Sequence, residues 1–135
     1  MYLLDSCVCI ELMRGHMPKT MELMKASSPD MFKISCIVEA ELLAGAQKSR
    51  NAQKTTLLTE RFLAPYERLS FSSDSAHIYA KLRADLEGRG LKIGPHDLLI
   101  AATALSEGAT VITRNVKEFK RVSGLSVEDW EEINW

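Results

Sequence analysis

Short apolar runs that give way at once to helix-opening residues constrain this chain more than any other feature. Tyr2-Leu3-Leu4 is followed by Asp5-Ser6, and Met31–Ile34 by Ser35. An apolar run of this length reads as a buried strand, and an Asp or Ser directly after it reads as a helix cap. Thr110-Val111-Ile112-Thr113 is a third run of the same kind. Tyr66 to Phe71 and Leu125-Ser126-Val127 are further strand candidates.

The segments between them carry helical patterns. Helix is expected over Val8 to Met13, broken by Gly15, and again from the first turn at Pro18, with Met17, Met21 and Met24 at helical spacing. A third helix runs from Ser35 to about Ser49, and a fourth over about Ala52 to Leu63, with Leu58 and Phe62 on one face. Ser72-Ser73-Asp74 caps a long helix with an apolar stripe of Ala76, Tyr79, Leu82 and Leu86. Pro95 fits the first position of the next helix and Gly108 its C-terminal cap. Strands alternating with helices predict an α/β fold whose sheet is parallel and covered by helices. In such sheets, sites form beyond the carboxyl ends of the strands.

Bulk properties narrow the class. The chain has 135 residues, 46% of them hydrophobic, enough for one packed core. Neither an internal repeat nor a linker composition divides it, so residues 1–135 are expected to form a single domain. No apolar run approaches the roughly 20 residues that span a bilayer, and the N-terminus does not read as a secretory signal, so a cytoplasmic location is expected. Cys7, Cys9 and Cys36 are odd in number, and Cys7-Val8-Cys9 is too tight for a zinc knuckle. They are expected as small buried hydrophobes. A net charge of −1 gives no global nucleic-acid signal. Local clusters do exist at Lys48, Arg50 and Lys54, at Arg83, Arg89 and Lys92, and at Arg114, Lys117, Lys120 and Arg121. Such clusters suit either phosphate contacts or ordinary solvated helix surface.

Four acidic positions stand where a site would form. Asp5 ends the first apolar run. It is either a helix cap or a ligand at the edge of a site, and Ser6 is an alternative cap. Glu41 lies in the apolar stretch Ile37-Val38-Glu39-Ala40-Glu41-Leu42-Leu43, where a carboxylate at a partly buried edge needs a partner. Glu39 and Glu41 differ by about 200° around a helix, so they cannot share one pocket, and Glu39 is placed toward solvent. Asp97 precedes Leu98-Leu99-Ile100-Ala101-Ala102, apolar on every face and therefore a buried helix. The helix dipole alone would favour an acid there, but burial also calls for a partner. The neighbouring His96 reads as a packing or hydrogen-bonding residue. Asn115 and Glu118 follow the Thr110–Thr113 run, close enough for one short turn to bring both to one ion. Oxygen donors of this kind select hard cations such as Mg²⁺ or Mn²⁺, which promote phosphodiester chemistry.

In this order and spacing, the segments Leu3-Leu4-Asp5-Ser6, Glu41–Ala46, Ile93–Ala102, Val111–Phe119 and Val122–Trp130 resemble the PIN-domain ribonucleases, and within them the VapC-type toxins of bacterial toxin–antitoxin pairs. The resemblance covers essentially the whole chain. It implies a PIN-like three-layer fold with a short central parallel sheet. It also implies an endoribonuclease dependent on Mg²⁺ or Mn²⁺, acting on RNA (tRNA or ribosomal RNA), inhibited by a VapB-type antitoxin and commonly a homodimer. Asp5, Glu41 and Asp97 match the family's three most regular acidic ligands. The fourth is often an Asp after a Thr-Arg pair. Here that position is Asn115, and Glu118 matches an acid some members use instead. A second departure is Cys7, where Asn is frequent. A non-catalytic PIN-like module that binds RNA or protein is the alternative function class. Another metal phosphohydrolase is a third, without the glycine-rich phosphate loop that many such enzymes carry.

Overall fold

A computed structural model describes residues 1–132. Its strands are β1 (Tyr2–Leu4), β2 (Phe32–Ser35), β3 (Glu67–Leu69), β4 (Thr110–Ile112) and β5 (Val127–Glu128). All pair in parallel, in the spatial order β3-β2-β1-β4-β5. The helices are α1 (Ser6–Met13), α2 (Pro18–Lys25), α3 (Cys36–Gln47), α4 (Ala52–Leu63), α5 (Ser73–Gly88), α6 (Pro95–Glu107) and the short α7 (Val116–Phe119). The fold is the expected α/β one, a five-stranded parallel sheet covered by helices.

Successive strand residues face opposite sides of a sheet. Leu3 and Leu4, and likewise Val111 and Ile112, are all fully buried, so both faces of the central strands are covered. That explains apolar runs without alternation. Leu4 lies opposite Ile112 in the register. The chain leaves β1 toward β2 on one side and later returns to β4 on the other. The sheet therefore reverses its order between β1 and β4, and a crevice opens beyond the carboxyl ends of those two strands.

Helix ends follow local chemistry. Ser35 and Ser72 accept hydrogen bonds from the N–H groups of Val38 and Ser75, capping α3 and α5. Gly108 closes α6 at φ 66°, a left-handed conformation that glycine adopts without steric cost. Helix α2 has no cap from its own end. The Glu131 carboxylate reaches in from the far end of the chain and accepts from Thr20 N at 3.0 Å and Thr20 Oγ1 at 2.9 Å.

Several expectations shift. The second strand begins at Phe32, because Pro29–Met31 forms a turn of 3₁₀ helix that leaves Met31 exposed. The third is confined to Glu67–Leu69, and the fifth moves to Val127–Glu128, where it meets Val111 and Ile112. In α4 the buried face is Thr59 and Leu63, and Leu58, expected inside with Phe62, is 50% exposed. In α5 the stripe runs through Ser75, Leu82 and Leu86, and Ala76 faces solvent. Glu39 is not solvent-facing. It is half-buried and pairs with Arg68 at 3.4 Å, so it and Glu41 do point different ways. Of the cysteines only Cys9 is buried. Cys36 is intermediate, and Cys7 is exposed because its direction on α1 leads out of the core.

The C-terminal segment is part of the packing. Trp130 meets Tyr2 and Phe32 edge-on, with centroids 4.9 and 5.5 Å away, and is 7% exposed. Trp130→Ala should therefore lower unfolding stability by about 3 kcal/mol, a usual cost of emptying an aromatic site. Urea denaturation of the two proteins measures it.

Candidate active site

Asp5 stands at the carboxyl end of β1, hydrogen-bonded through its N–H to Ile112 of β4. It is 3% exposed. Its Oδ1 accepts from Val8 N at 2.8 Å, so Asp5, and not Ser6, caps α1. Its Oδ2 accepts from the Thr113 hydroxyl, and Thr113 Oγ1 itself accepts from Asn115 N at 2.9 Å. Burial raises the Asp5 pKa, the Thr113 and Val8 hydrogen bonds oppose this, and the charges of Glu41 and Asp129 add to the rise. Cap and site residue are one group here, because each carboxylate oxygen has lone pairs beyond the one used.

Glu41 projects from α3 toward the same crevice. Its Oε2 lies 3.3 Å from His96 Nδ1, while its Oε1 is buried without a hydrogen-bond partner. An orphaned buried carboxylate oxygen is costly and marks a place for a cation or donor. His96 is largely exposed, and its ring lies within ion-pairing distance of Glu41 rather than in the core.

Asp97 sits in the first turn of α6, whose following residues Leu98 and Ile100–Ala104 are buried. Its pKa is raised to about 6, first by burial, then by the charges of Glu118, Asp5 and Glu41, with His96 opposing. Glu118, on α7, is held at both oxygens. Oε1 accepts from Gly94 N at 2.6 Å and Oε2 from the Asn115 amide. Asn115 itself is exposed and its amide nitrogen faces Glu118.

All four expected acids are thus brought together from β1, α3, α6 and α7, and Asn115 lies beside the fourth. Four features of the site were not singled out from sequence. Thr113 was visible as the polar end of an apolar run, and Gly94 as the glycine before the helix-opening proline. His96 reads from sequence only as a neighbour of Asp97. Asp129 left no signal of its own. It lies near enough to influence Asp5, and Arg114 is drawn to it at 3.1 Å and to Glu132 at 2.8 Å. Cys7 borders the cluster, its thiol pKa raised by burial and then by Asp5, Asp97 and Glu41.

The donor set fits a hard divalent cation. It is all oxygen, it leaves Glu41 Oε1 unpartnered, and burial together with the neighbouring acids raises the Asp97 pKa to about 6. The carboxylates are gathered but not closed up. No group of three or more His, Cys, Asp or Glu side chains forms a ready metal cage among the described residues.

Comparison with known proteins places the fold. The PIN domain family model matches residues 2–125. The chain is 37% identical to Ribonuclease VapC2 of Rickettsia felis, over 97% of this chain and 98% of that one. It is 33% identical to the tRNA(fMet)-specific endonuclease VapC of Salmonella typhimurium, over 96% and 97% of the two chains. The crystal structure of DNA-bound VapBC from Salmonella typhimurium superposes with a TM-score of 0.91 at 32% identity, covering 96% of this chain and 97% of that one.

Two outcomes follow from the electrostatics. Asp97 binds its proton more tightly folded than unfolded, so between pH 4 and about 6 the native state holds more protons than the unfolded one. Its contribution to stability is present at the acidic end of that window and is lost as pH rises through it. Metal-free Asp97→Asn should therefore melt above the wild type at pH 7.5, with the gap closing toward pH 4. Differential scanning fluorimetry across that range measures it. Thr113→Val leaves the buried Asp5 carboxylate one donor short and should cost about 1–3 kcal/mol in urea unfolding.

Proposed function

The chain belongs to the PIN domain family, and from that premise we propose that it is the toxin of a VapBC-type toxin–antitoxin pair, an endoribonuclease dependent on Mg²⁺ or Mn²⁺. The observation that carries this reading is the convergence of Asp5, Glu41, Asp97 and Glu118 at the point where the sheet reverses its strand order.

An all-carboxylate crevice repels an RNA phosphodiester unless positive charge intervenes. Asp5, Glu41, Asp97 and Glu118 would hold that charge, with Asn115 as a neutral oxygen donor at the rim. A bound Mg²⁺ or Mn²⁺ supplies activation of water at neutral pH and neutralisation of charge at phosphorus. The protein's part is positional. Val8 N–H and Thr113 fix Asp5, His96 orients Glu41, and Gly94 N–H with the Asn115 amide fixes Glu118. Asp97 must give up its proton as cation binds, so cation affinity falls as pH drops below about 6. A histidine or lysine base is not required.

The substrate class we assign is structured cellular RNA, tRNA before ribosomal RNA, following the tRNA(fMet) specificity in the name of the Salmonella relative. A VapB-type antitoxin is the assigned partner, since VapBC complexes are among the similar structures. Residues 1–135 acting as one domain, a homodimer and a cytoplasmic location complete the proposal. No helix among the described residues is long and apolar enough to cross a membrane.

Inducing wild type and Asp5→Ala without an antitoxin, and mapping RNA 5′ ends, tests the reading. The wild type should arrest growth and create new ends, and Asp5→Ala should lose cleavage by more than about 100-fold, the upper range for changes outside the ligands themselves. Equal behaviour of the two would favour a non-catalytic RNA- or protein-binding module. Glu118 is the fourth charge in this proposal, because only it adds negative charge for a cation. Glu118→Gln should depress cleavage strongly, with partial rescue at raised Mn²⁺, and Asn115→Ala should cost less. Normal cleavage by Glu118→Gln beside a dead Asn115→Ala would reverse the assignment.

A further inference from the structure

Gly94 occupies a position where none of the usual reasons for glycine applies. Its backbone, at φ −54° and ψ 142°, is one any residue adopts before a proline. It is the N-cap of α6, a place where Ser, Thr, Asp or Asn would ordinarily contribute a side-chain hydrogen bond, and it contributes none. Gly90 and Gly108, just past the ends of α5 and α6, lie at positive φ, 67° and 66°. What distinguishes Gly94 is its surroundings. A Cβ built there would lie 3.3 Å from Asp97 Oδ2 and 3.5 Å from Glu118 Oε1. Its N–H donates to that same Glu118 oxygen at 2.6 Å.

We propose that Gly94 is a positioning residue that sets the gap between the Asp97 and Glu118 carboxylates and aims Glu118 into it. This rests on the reading that these carboxylates bind a divalent cation. The N–H anchors Glu118 Oε1, which fixes where α7 presents its acid. The missing Cβ leaves the space between the two carboxylates free. A methyl group there would displace Asp97 Oδ2 by a few tenths of an ångström. Mg²⁺ requires oxygen ligands near 2.0–2.1 Å in nearly ideal octahedral geometry, so displacements of that size reduce binding. They would not disturb the fold, because the contact is to the far end of a side chain and not to backbone.

Titration calorimetry with Mn²⁺ on wild type, Gly94→Ala and Gly88→Ala tests this. A Cβ at Gly88 meets nothing within 4 Å, so that variant controls for the general effect of adding a methyl group. Gly94→Ala should bind Mn²⁺ roughly 10- to 100-fold more weakly, as supporting residues around metal sites usually do. Its metal-free melting temperature should stay within the range of wild type and Gly88→Ala. A second readout is the Gly94 amide proton in a ¹H–¹⁵N spectrum of the metal-free protein. It should lie downfield and move upfield in Glu118→Gln. Wild-type Mn²⁺ affinity in Gly94→Ala, or a Gly94 amide unmoved by Glu118→Gln, would overturn the positioning role and leave the metal reading standing. Absence of Mn²⁺ binding by the wild type would overturn the metal reading, and the inference with it.

Discussion

A buried carboxylate at the end of the central strand organises this molecule. Asp5 ties three elements together at once. Its backbone N–H donates to Ile112 O of β4, one side-chain oxygen caps α1, and the other takes the hydroxyl of Thr113. Losing either side-chain bond would leave a buried carboxylate short of a partner, and losing the backbone bond would leave a buried N–H unpaired. The crossing between β1 and β4 is therefore rigid where the crevice needs it to be. The other acids are added around that fixed point: Glu41 from α3, Asp97 from α6 and Glu118 from α7.

Neutral donors, from backbone and side chain alike, hydrogen-bond Asp5 and Glu118 in this cluster. Val8 N–H serves Asp5 and Gly94 N–H serves Glu118. Arg114, the arginine next to Thr113, is engaged by Asp129 and Glu132 instead. Neutral donors orient a carboxylate without cancelling its charge. The crevice keeps its negative potential, which adds to burial in raising the pKa of Asp97. The lysine and arginine clusters contribute little there. Arg83 pairs with Glu87, and Arg89 with Asp85, within α5 and its C-cap.

The sheet was readable from sequence because fully buried parallel strands leave an unmistakable apolar signature, as at Leu3-Leu4 and Val111-Ile112. Their exact limits were not, since Met31 and Tyr66 carry strand-like side chains on a backbone set by neighbouring turns. The acids were readable because each followed a strand or opened a helix. Their partners were harder to see. Thr113, Gly94 and His96 act through contacts with residues 24 to 108 positions away, or through a face that helical spacing alone cannot assign. The amphipathic reading failed for Leu58 and Ala76, where periodicity permits two neighbouring faces and tertiary packing chooses between them. The expectation that Cys7 is a small buried hydrophobe fails because its direction on α1 leads out of the core, beside the acids.

The 108-residue separation of Asp5 and Thr113 has a consequence in time. Asp5 leaves the ribosome 108 residues before Thr113, so its strand cannot acquire its β4 partner until the intervening chain has been made. At about 5–20 residues per second, β1 waits on the order of 5–20 s for that neighbour. Pairings between such distant segments also carry the largest loop-closure cost and form slowly. A nascent chain interrupted before β4 has a strand with one edge open and no crevice. A nuclease built this way cannot cut RNA in fragments, and a cell making it has an interval between synthesis and competence in which a binding partner can arrive.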